Sequence, residues 1–127
     1  MYTMMQVCRE LDMTYQTLKF YCNEGLVPNV KRDHNNRRVF DEKDVKWIKD
    51  LTCLKKCGMS IQEMKKYLEL CLQGEATIVS RKKMLARKQE ELRASIKELE
   101  DSISYIGWKQ NFYDEVLSGK RPYVSNL

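Results

Sequence analysis

The first half of the chain carries four short amphipathic segments that open with the same pattern of polar and apolar residues. In each segment a polar residue follows an apolar one and stands four positions before another, as a helix N-cap does inside a hydrophobic staple. The four N-cap residues are Thr3, Thr14, Asp41 and Ser60. The pattern predicts helices over residues 4–11, 15–23, 42–57 and 61–72. Gly25 and Gly58 stand where a left-handed residue would end the second and third helices.

The segment between the second and third predicted helices has the composition of a basic β-hairpin. Asn35 and Asn36 suit its turn because asparagine tolerates positive φ angles. The positions that flank the turn carry Lys31, Arg32, Arg37 and Arg38. A hairpin of this kind, called the wing below (residues 27–40), can place its positive groups along a DNA phosphate backbone.

The second predicted helix has the features of a helix that reads DNA. Its N-cap Thr14 starts a turn that presents Tyr15, Gln16 and Lys19 to one side, while Leu18 packs inward. Beside a basic wing, these features predict a winged helix-turn-helix. We expect base-edge or backbone contacts from the first turn of this helix and phosphate contacts from the wing. The predicted DNA contacts are Thr14, Tyr15, Gln16, Thr17, Lys19, Tyr21, Lys31, Arg37, Arg38 and Lys55.

The second half of the chain predicts one long helix over residues 76–117, followed by an irregular tail over residues 118–127. Apolar residues recur there every seven positions, with a second apolar series between them, and charged residues occupy the other faces. The two series form one apolar stripe along the helix, called the seam below, which favours pairing with a second helix and hence a homodimer. The alternative is that the helix packs within an intramolecular bundle. The predicted dimer contacts are Leu85, Leu92, Ile96, Leu99, Ile103 and Ile106.

The amino-acid composition of the chain limits the classes of function that we expect of it. The chain has 127 residues, a formal net charge of +5 and one histidine, His34, which falls at the wing tip. It contains no glycine-rich phosphate loop and no Ser-His-Asp order, so we expect neither enzyme activity nor a cofactor. No apolar run approaches the roughly 18 residues that span a membrane. We therefore expect a cytoplasmic protein without a membrane partner.

The five cysteines are an odd number, and without a secretion signal they indicate free thiols in a reducing compartment. We expect Cys8 and Cys71 to be small buried apolar residues and Cys22 to be partly exposed. Cys53 and Cys57 are one helical turn apart, but no further cysteine or histidine lies nearby to complete four-coordination. The sequence therefore predicts no metal site.

Over nearly its whole length the chain resembles the MerR family of bacterial transcription regulators, and the most specific motif lies in its first 45 residues. The family pattern is a hydroxyl N-cap, a Thr-Leu pair, a Tyr, Gly-Leu, a Pro, a basic wing and an Asp-Val helix start. It is matched here by Thr14, Thr17, Leu18, Tyr21, Gly25, Leu26, Pro28, Asn35, Arg38, Asp44 and Val45. The chain departs from the pattern at five positions. Lys19 replaces Arg, Phe20 and Phe40 replace Tyr, Asn36 replaces Gly, and Arg37 replaces an aromatic residue. Each Tyr-to-Phe change removes a hydroxyl that could donate to a phosphate.

The resemblance implies an all-α fold with a small β-hairpin wing, in which residues 1–72 bind double-stranded promoter DNA. It also implies that the long helix pairs with its twin as an antiparallel coiled coil. Family members bend and untwist an overlong promoter spacer in response to a signal, so that RNA polymerase can use it. A simple dimeric repressor that does not untwist DNA is one alternative. A small helical adaptor that binds a protein partner through the long helix is another.

Within the family, the segment from Lys46 through Cys53 to Gly58 looks like the aldehyde- and thiol-stress-responsive subgroup. That resemblance implies that Cys53 is the sensor of a reactive aldehyde or another electrophile. Lys49 and Lys56 share its helix face and favour a thiolate there, whereas Asp50 opposes it. A purely structural thiol remains the alternative.

Overall fold

Five helices and three short strands make up the chain in the computed structural model, which describes residues 1–127. It divides into two compact units, residues 1–88 and residues 89–127. The elements are β1 (Tyr2–Thr3), α1 (Met4–Leu11), α2 (Tyr15–Asn23), β2 (Lys31–Arg32), β3 (Arg38–Phe40), α3 (Glu42–Lys56), α4 (Ile61–Leu72), a 3-10 turn (Gly74–Thr77) and α5 (Ile78–Leu117).

The four predicted helix starts are confirmed, each with its capping hydrogen bond. Ser60 and Glu63 form a capping box, in which the Glu63 amide donates to Ser60 Oγ at 3.1 Å and the Ser60 amide donates to Glu63 Oε1 at 3.0 Å. The third helix ends at Lys56, one residue earlier than predicted. Gly25 and Gly58 adopt left-handed φ angles of 75° and 88°, as their positions predict.

A third strand, which the sequence does not predict, lies at the N-terminus and pairs with the wing. β3 is the central strand, with β2 on one side and β1 on the other, all antiparallel. In the added ladder Tyr2 lies opposite Phe40, and Thr3 lies opposite Val39. Two residues are too few to show the alternating pattern of a strand, so the expectation of a simple hairpin was incomplete. The extra pairing holds the start of α1 beside the wing.

The core of the first unit lies among α1, α2, β3, α3 and α4. Its fully buried side chains are Val7, Leu18, Leu26, Phe40, Ile48, Leu51, Met59 and Met64. Trp47 supports this core from α3, because its indole Nε1 donates to the Leu26 carbonyl oxygen at 2.7 Å. The first turns of α5 pack against the same unit through Met84 and through Lys88, whose Nζ lies 3.2 Å from Glu63 Oε2.

The second unit, residues 89–127, contains the rest of α5 and the tail. α5 has no buried residue in the single chain, and its seam residues are exposed; Leu99 keeps 64% of its surface. In the tail, Arg121 Nε donates to Glu115 Oε2 at 2.7 Å, and its guanidinium lies 5.2 Å from the centre of the Phe112 ring. No helix in the structure combines the length and the apolar character needed to cross a membrane.

Candidate nucleic-acid interface

Helix α2 presents a polar face that its own N-cap fixes in place. Thr14 Oγ1 accepts the Thr17 amide at 3.1 Å and lies 2.8 Å from the Thr17 hydroxyl, so the two threonines are engaged with each other. Leu18 is fully buried below, whereas Tyr15, Gln16 and Lys19 are exposed. The first turn of α2 therefore offers three side chains to a partner.

Tyr21, predicted to contact phosphate, has its ring in the core. Its side chain is only 3% exposed, and burial raises the pKa of its hydroxyl. Because the Tyr21 side chain packs in the core, almost none of its surface remains accessible for a DNA contact.

The wing turn is organised by one carboxylate. Asp33 Oδ1 accepts the amides of Asn35 and Arg37 at 2.9 and 3.0 Å, and the Asp33 carbonyl accepts the Asn36 amide at 2.9 Å. Asn36 adopts a left-handed φ of 60°, as predicted from its tolerance for that conformation. The hydrogen bonds from the amides of Arg37 and Asn35 lower the pKa of the Asp33 carboxyl, because they stabilise its charged form.

A groove of about 430 Å³ lies between the start of α1, the start of α2 and the wing. From the predicted contacts it brings together Tyr15, Arg37 and Arg38. Its wall also includes Thr3, Met4, Met5, Arg32, Asp33, Asn36 and Val39. The groove thus combines one exposed aromatic ring with three guanidinium groups, and we call it the wing groove below.

The wing cations have different oxygen partners. Arg38 Nη2 donates to Asn23 Oδ1 at 2.7 Å, and Arg32 Nη1 donates to the Asn36 carbonyl oxygen at 2.9 Å. Both acceptors are uncharged, and the Arg37 side chain is exposed. All three arginines therefore keep their charge free of a hydrogen-bonded or ion-paired carboxylate.

Lys31, by contrast, forms an ion pair at the N-cap of α3. Its Nζ lies 2.9 Å from Asp41 Oδ2 and 3.7 Å from Asp44 Oδ2, and the pairing with Asp41 raises the pKa of Lys31. Lys31 is not part of the wing groove. Lys55 is exposed in the last turn of α3, a helix that contributes no residue to the groove. The structure does not bring these two predicted contacts together with the others.

Two residues of this arrangement are absent from the predicted list of individual contacts, although Arg32 is one of the four wing cations expected along the phosphate backbone. Arg32 is a cross-strand partner of Arg38, so pairing the two halves of the hairpin would have placed both on one face. Asn23 gave no signal in the sequence, since nothing near the end of α2 indicates that its amide reaches β3.

The cysteines lie in different surroundings. Cys8 is buried, which raises the pKa of its thiol, while Cys22 and Cys57 are half-buried and Cys53 is exposed. The expectation of a buried Cys71 was wrong: it is half-buried, with its Sγ 3.9 Å from Nη1 of Arg81. No group of three or more metal-ligating side chains is arranged to hold a metal ion.

A capped helix beside an arginine-rich wing, backed by a three-stranded sheet and followed by a long helix, defines a winged helix-turn-helix DNA-binding regulator. Two family models match the chain. "MerR HTH family regulatory protein" matches residues 2–71, and "MerR, DNA binding" matches residues 45–106. The chain belongs to the MerR family of transcriptional regulators, as its resemblance indicated.

Individual relatives agree with this assignment. An uncharacterised HTH-type transcriptional regulator from Haemophilus influenzae is 33% identical over 90% of this chain and 84% of its own length. The HTH-type transcriptional regulator AdhR from Bacillus subtilis is 37% identical over 68% of this chain and 62% of its own length. The families and relatives are transcriptional regulators, so the protein is a DNA-binding regulator and not an enzyme.

A similar solved structure contains DNA. HiNmlR, described as a MerR family regulator lacking the sensor domain and bound to promoter DNA, is 32% identical to this chain. The two structures match with a TM-score of 0.76, over 92% of this chain and 93% of HiNmlR.

The Asp33 carboxylate should make the wing turn sensitive to acid. Because its pKa is lowered in the folded wing, its stabilising effect is complete above the ordinary aspartate range of about pH 4 and is lost as the pH falls through the lowered folded value. The amide NMR shifts of Asn35 and Arg37 should report this titration. In Asp33→Asn, whose amide oxygen can accept the same bonds, the titration should vanish and the turn should persist. A midpoint above pH 4 would contradict this assignment.

Proposed function

We propose that the wing groove and the exposed face of α2 form the DNA-binding surface. The observation that carries this proposal is the convergence of Tyr15 with Arg32, Arg37 and Arg38 on one groove. Three guanidinium groups without a hydrogen-bonded or ion-paired carboxylate attract phosphates, and their contacts fix the position of the protein on the duplex.

The roles of the proposed contacts follow from their positions. Tyr15, Gln16 and Lys19 project from the first turn of α2 and read base edges or the nearby backbone in the major groove. Thr14 and Thr17 hold the N-terminus of α2, where a helix favours a phosphate. Tyr21 contributes at most its hydroxyl, since its side chain is only 3% exposed. Lys31 and Lys55 are the weakest members of the set, since Lys31 is paired with Asp41 and Lys55 lies on α3, which belongs neither to the wing groove nor to the exposed face of α2.

We further propose that α5 pairs with its twin in an antiparallel homodimer. The seam of Leu85, Leu92, Ile96, Leu99, Ile103 and Ile106 is exposed in the single chain. A contiguous apolar stripe of this length is unfavourable in water and is buried by a matching stripe. A dimer places two wing grooves on one palindromic promoter, with residues 1–72 contacting DNA, residues 76–117 forming the interface and residues 118–127 forming the tail.

Promoter distortion is the proposed mode of regulation. Two linked winged units bend and untwist an overlong spacer, and the contacts made by both units offset the cost of deforming the DNA. RNA polymerase then recognises the corrected spacing without touching the regulator. A dimeric repressor that leaves the spacer undistorted is the second candidate, because the same wing groove would serve it equally well.

We propose Cys53 as the sensor of an electrophile, such as a reactive aldehyde. Its exposure makes the thiol accessible, and Lys49 and Lys56 are exposed on the same helix. With an α,β-unsaturated aldehyde, the sulfur adds to the β-carbon, the C=C electron pair shifts, and the α-carbon takes a proton from water after the thiol has lost its own. Each adduct therefore adds one whole aldehyde molecule to Cys53.

The structure offers a route from this thiol to the long helix. Cys53 lies in the last turns of α3, and the turn that follows contains Gly58, whose carbonyl oxygen is 3.5 Å from Lys88 Nζ. Lys88 belongs to α5 and also pairs with Glu63 of α4. Bulk added at Cys53 therefore lies five residues before Gly58, the residue of the turn that contacts Lys88 of α5.

Phosphate and base contacts can be separated by salt titration. Binding should be measured on a duplex that the protein selects from a random-sequence library. Arg38→Ala should weaken binding about equally on all sequences and lower the slope of log affinity against log salt by about 1. Gln16→Ala should instead change base preference within a half-site. Equal loss on selected and random DNA for both variants would remove Gln16 from the contacts that read sequence.

The dimer can be tested by placing one charge in the seam. Leu99→Asp should convert the protein to a monomer or unfold it, because a carboxylate at the centre of the seam would be buried without a partner. Lys97→Asp places the same side chain on the opposite face of α5 and should leave the dimer intact. Sedimentation at micromolar concentration is the measurement. A stable wild-type monomer at that concentration would refute the homodimer.

The sensor can be tested with one conservative substitution. Cys53→Ser should retain DNA binding and lose the transcriptional response to an α,β-unsaturated aldehyde. Cys57→Ser, one turn further along and half-buried, should retain both. Mass spectrometry of the treated wild-type protein should locate the adduct on Cys53. An unmodified Cys53, together with a normal response in Cys53→Ser, would rule the sensor role out.

A further inference from the structure

The oxygen that each wing cation binds determines how much of its charge is left for DNA. Lys31 donates to the Asp41 carboxylate, whereas Arg38 donates to the side-chain amide oxygen of Asn23 at 2.7 Å. An ion pair cancels the charge of its cation. A hydrogen bond to an amide oxygen uses one of the five guanidinium N–H donors and leaves the full positive charge.

The Arg38–Asn23 hydrogen bond also joins two parts of the proposed DNA-binding surface. Arg38 begins β3 in the wing, and Asn23 is the last residue of α2. Arg32 lies opposite Arg38 in the β2–β3 ladder, and Arg38 reaches Asn23. Burial raises the pKa of the thiol of Cys22, the neighbour of Asn23 at this end of α2, and the charges of Arg38 and Arg32 oppose that rise. The negative end of the helix dipole favours a cation at that position.

We propose that Asn23 is a positioning residue for DNA binding, which holds the Arg38 guanidinium at the wing groove without neutralising it. The inference rests on the proposed role of Arg38 as a phosphate contact. Arginine is a long side chain with many rotamers, and fixing it before DNA arrives removes part of the entropy lost on binding. An asparagine at position 23 supplies an acceptor for this purpose, and an aspartate there would supply the same acceptor but cancel the charge.

Two substitutions separate the position of Arg38 from its charge. Asn23→Ala removes the acceptor and keeps the charge, so affinity should fall about two- to ten-fold, the range expected for freeing one side chain. The salt slope should change little. Asn23→Asp keeps the acceptor but pairs the charge, so the salt slope should fall by about 0.9, as if one phosphate contact were lost.

The experiment is a double-mutant cycle on the duplex selected by the wild-type protein. Affinity and salt slope are measured for Asn23→Ala, Arg38→Ala and the double variant, with thermal unfolding of each as a check on the fold. Asn29→Ala is the matched control, since Asn29 is an exposed asparagine whose only hydrogen bond here is made by its backbone carbonyl. In the Arg38→Ala background, Asn23→Ala should have no further effect on binding.

The outcomes distinguish this inference from the proposal on which it rests. If Arg38→Ala leaves both affinity and salt slope unchanged, Arg38 is not a phosphate contact and both proposals fail. If Arg38→Ala behaves as expected but Asn23→Ala binds like wild type, the positioning role alone is overturned. The same holds if Asn23→Ala weakens binding equally with and without Arg38, because its effect is then on the fold. Asn23→Asp keeps the test valid even where Asn23→Ala is unstable.

Discussion

The central strand β3 is the element on which the rest of the DNA-binding unit depends. It pairs with β1 and β2 on its two sides, and its last residue, Phe40, is fully buried in the core. Its first residue, Arg38, donates a hydrogen bond to Asn23 at the end of α2. Asp41, the residue that follows the strand, is the N-cap of α3. Residues 38–41 thus fix the wing to the core, to the recognition helix and to the next helix. A hairpin in isolation is marginally stable in water, so this anchoring gives the wing its defined position.

The cations of the wing fall into two groups, one that stabilises the fold and one that remains available for binding. Lys31, at the base of the hairpin, forms an ion pair with Asp41, the N-cap of α3. This ion pair stabilises the junction between the sheet and the helix. The arginines nearer the tip bind uncharged oxygens or remain exposed. A modest formal net charge of +5 is compatible with a basic groove, because three arginines line it, whereas its single acid, Asp33, binds the backbone amides of the wing turn.

Local signals in the sequence predicted the helices, since N-caps, staples and left-handed glycines act within a few residues of each other. Contacts between distant segments were not predictable in the same way. The β1 strand is two residues long and is defined only by its partner β3, and the Asn23–Arg38 bond spans fifteen residues. The Lys31–Asp41 ion pair joins residues ten positions apart, and the N-cap role of Asp41 gives no indication of it in the sequence. Cys71 was expected to be buried because its neighbours are leucines, but the end of α4 leaves it beside Arg81.

Hydrogen–deuterium exchange of the protein, with and without the selected duplex, tests the central claim that the wing groove is the DNA-binding surface. The amides of residues 14–19 and 31–39 should become protected when DNA binds, because both segments border the groove. The exposed end of α5 should exchange as before. Protection confined to α4 and α5, with no change in the wing, would contradict the account.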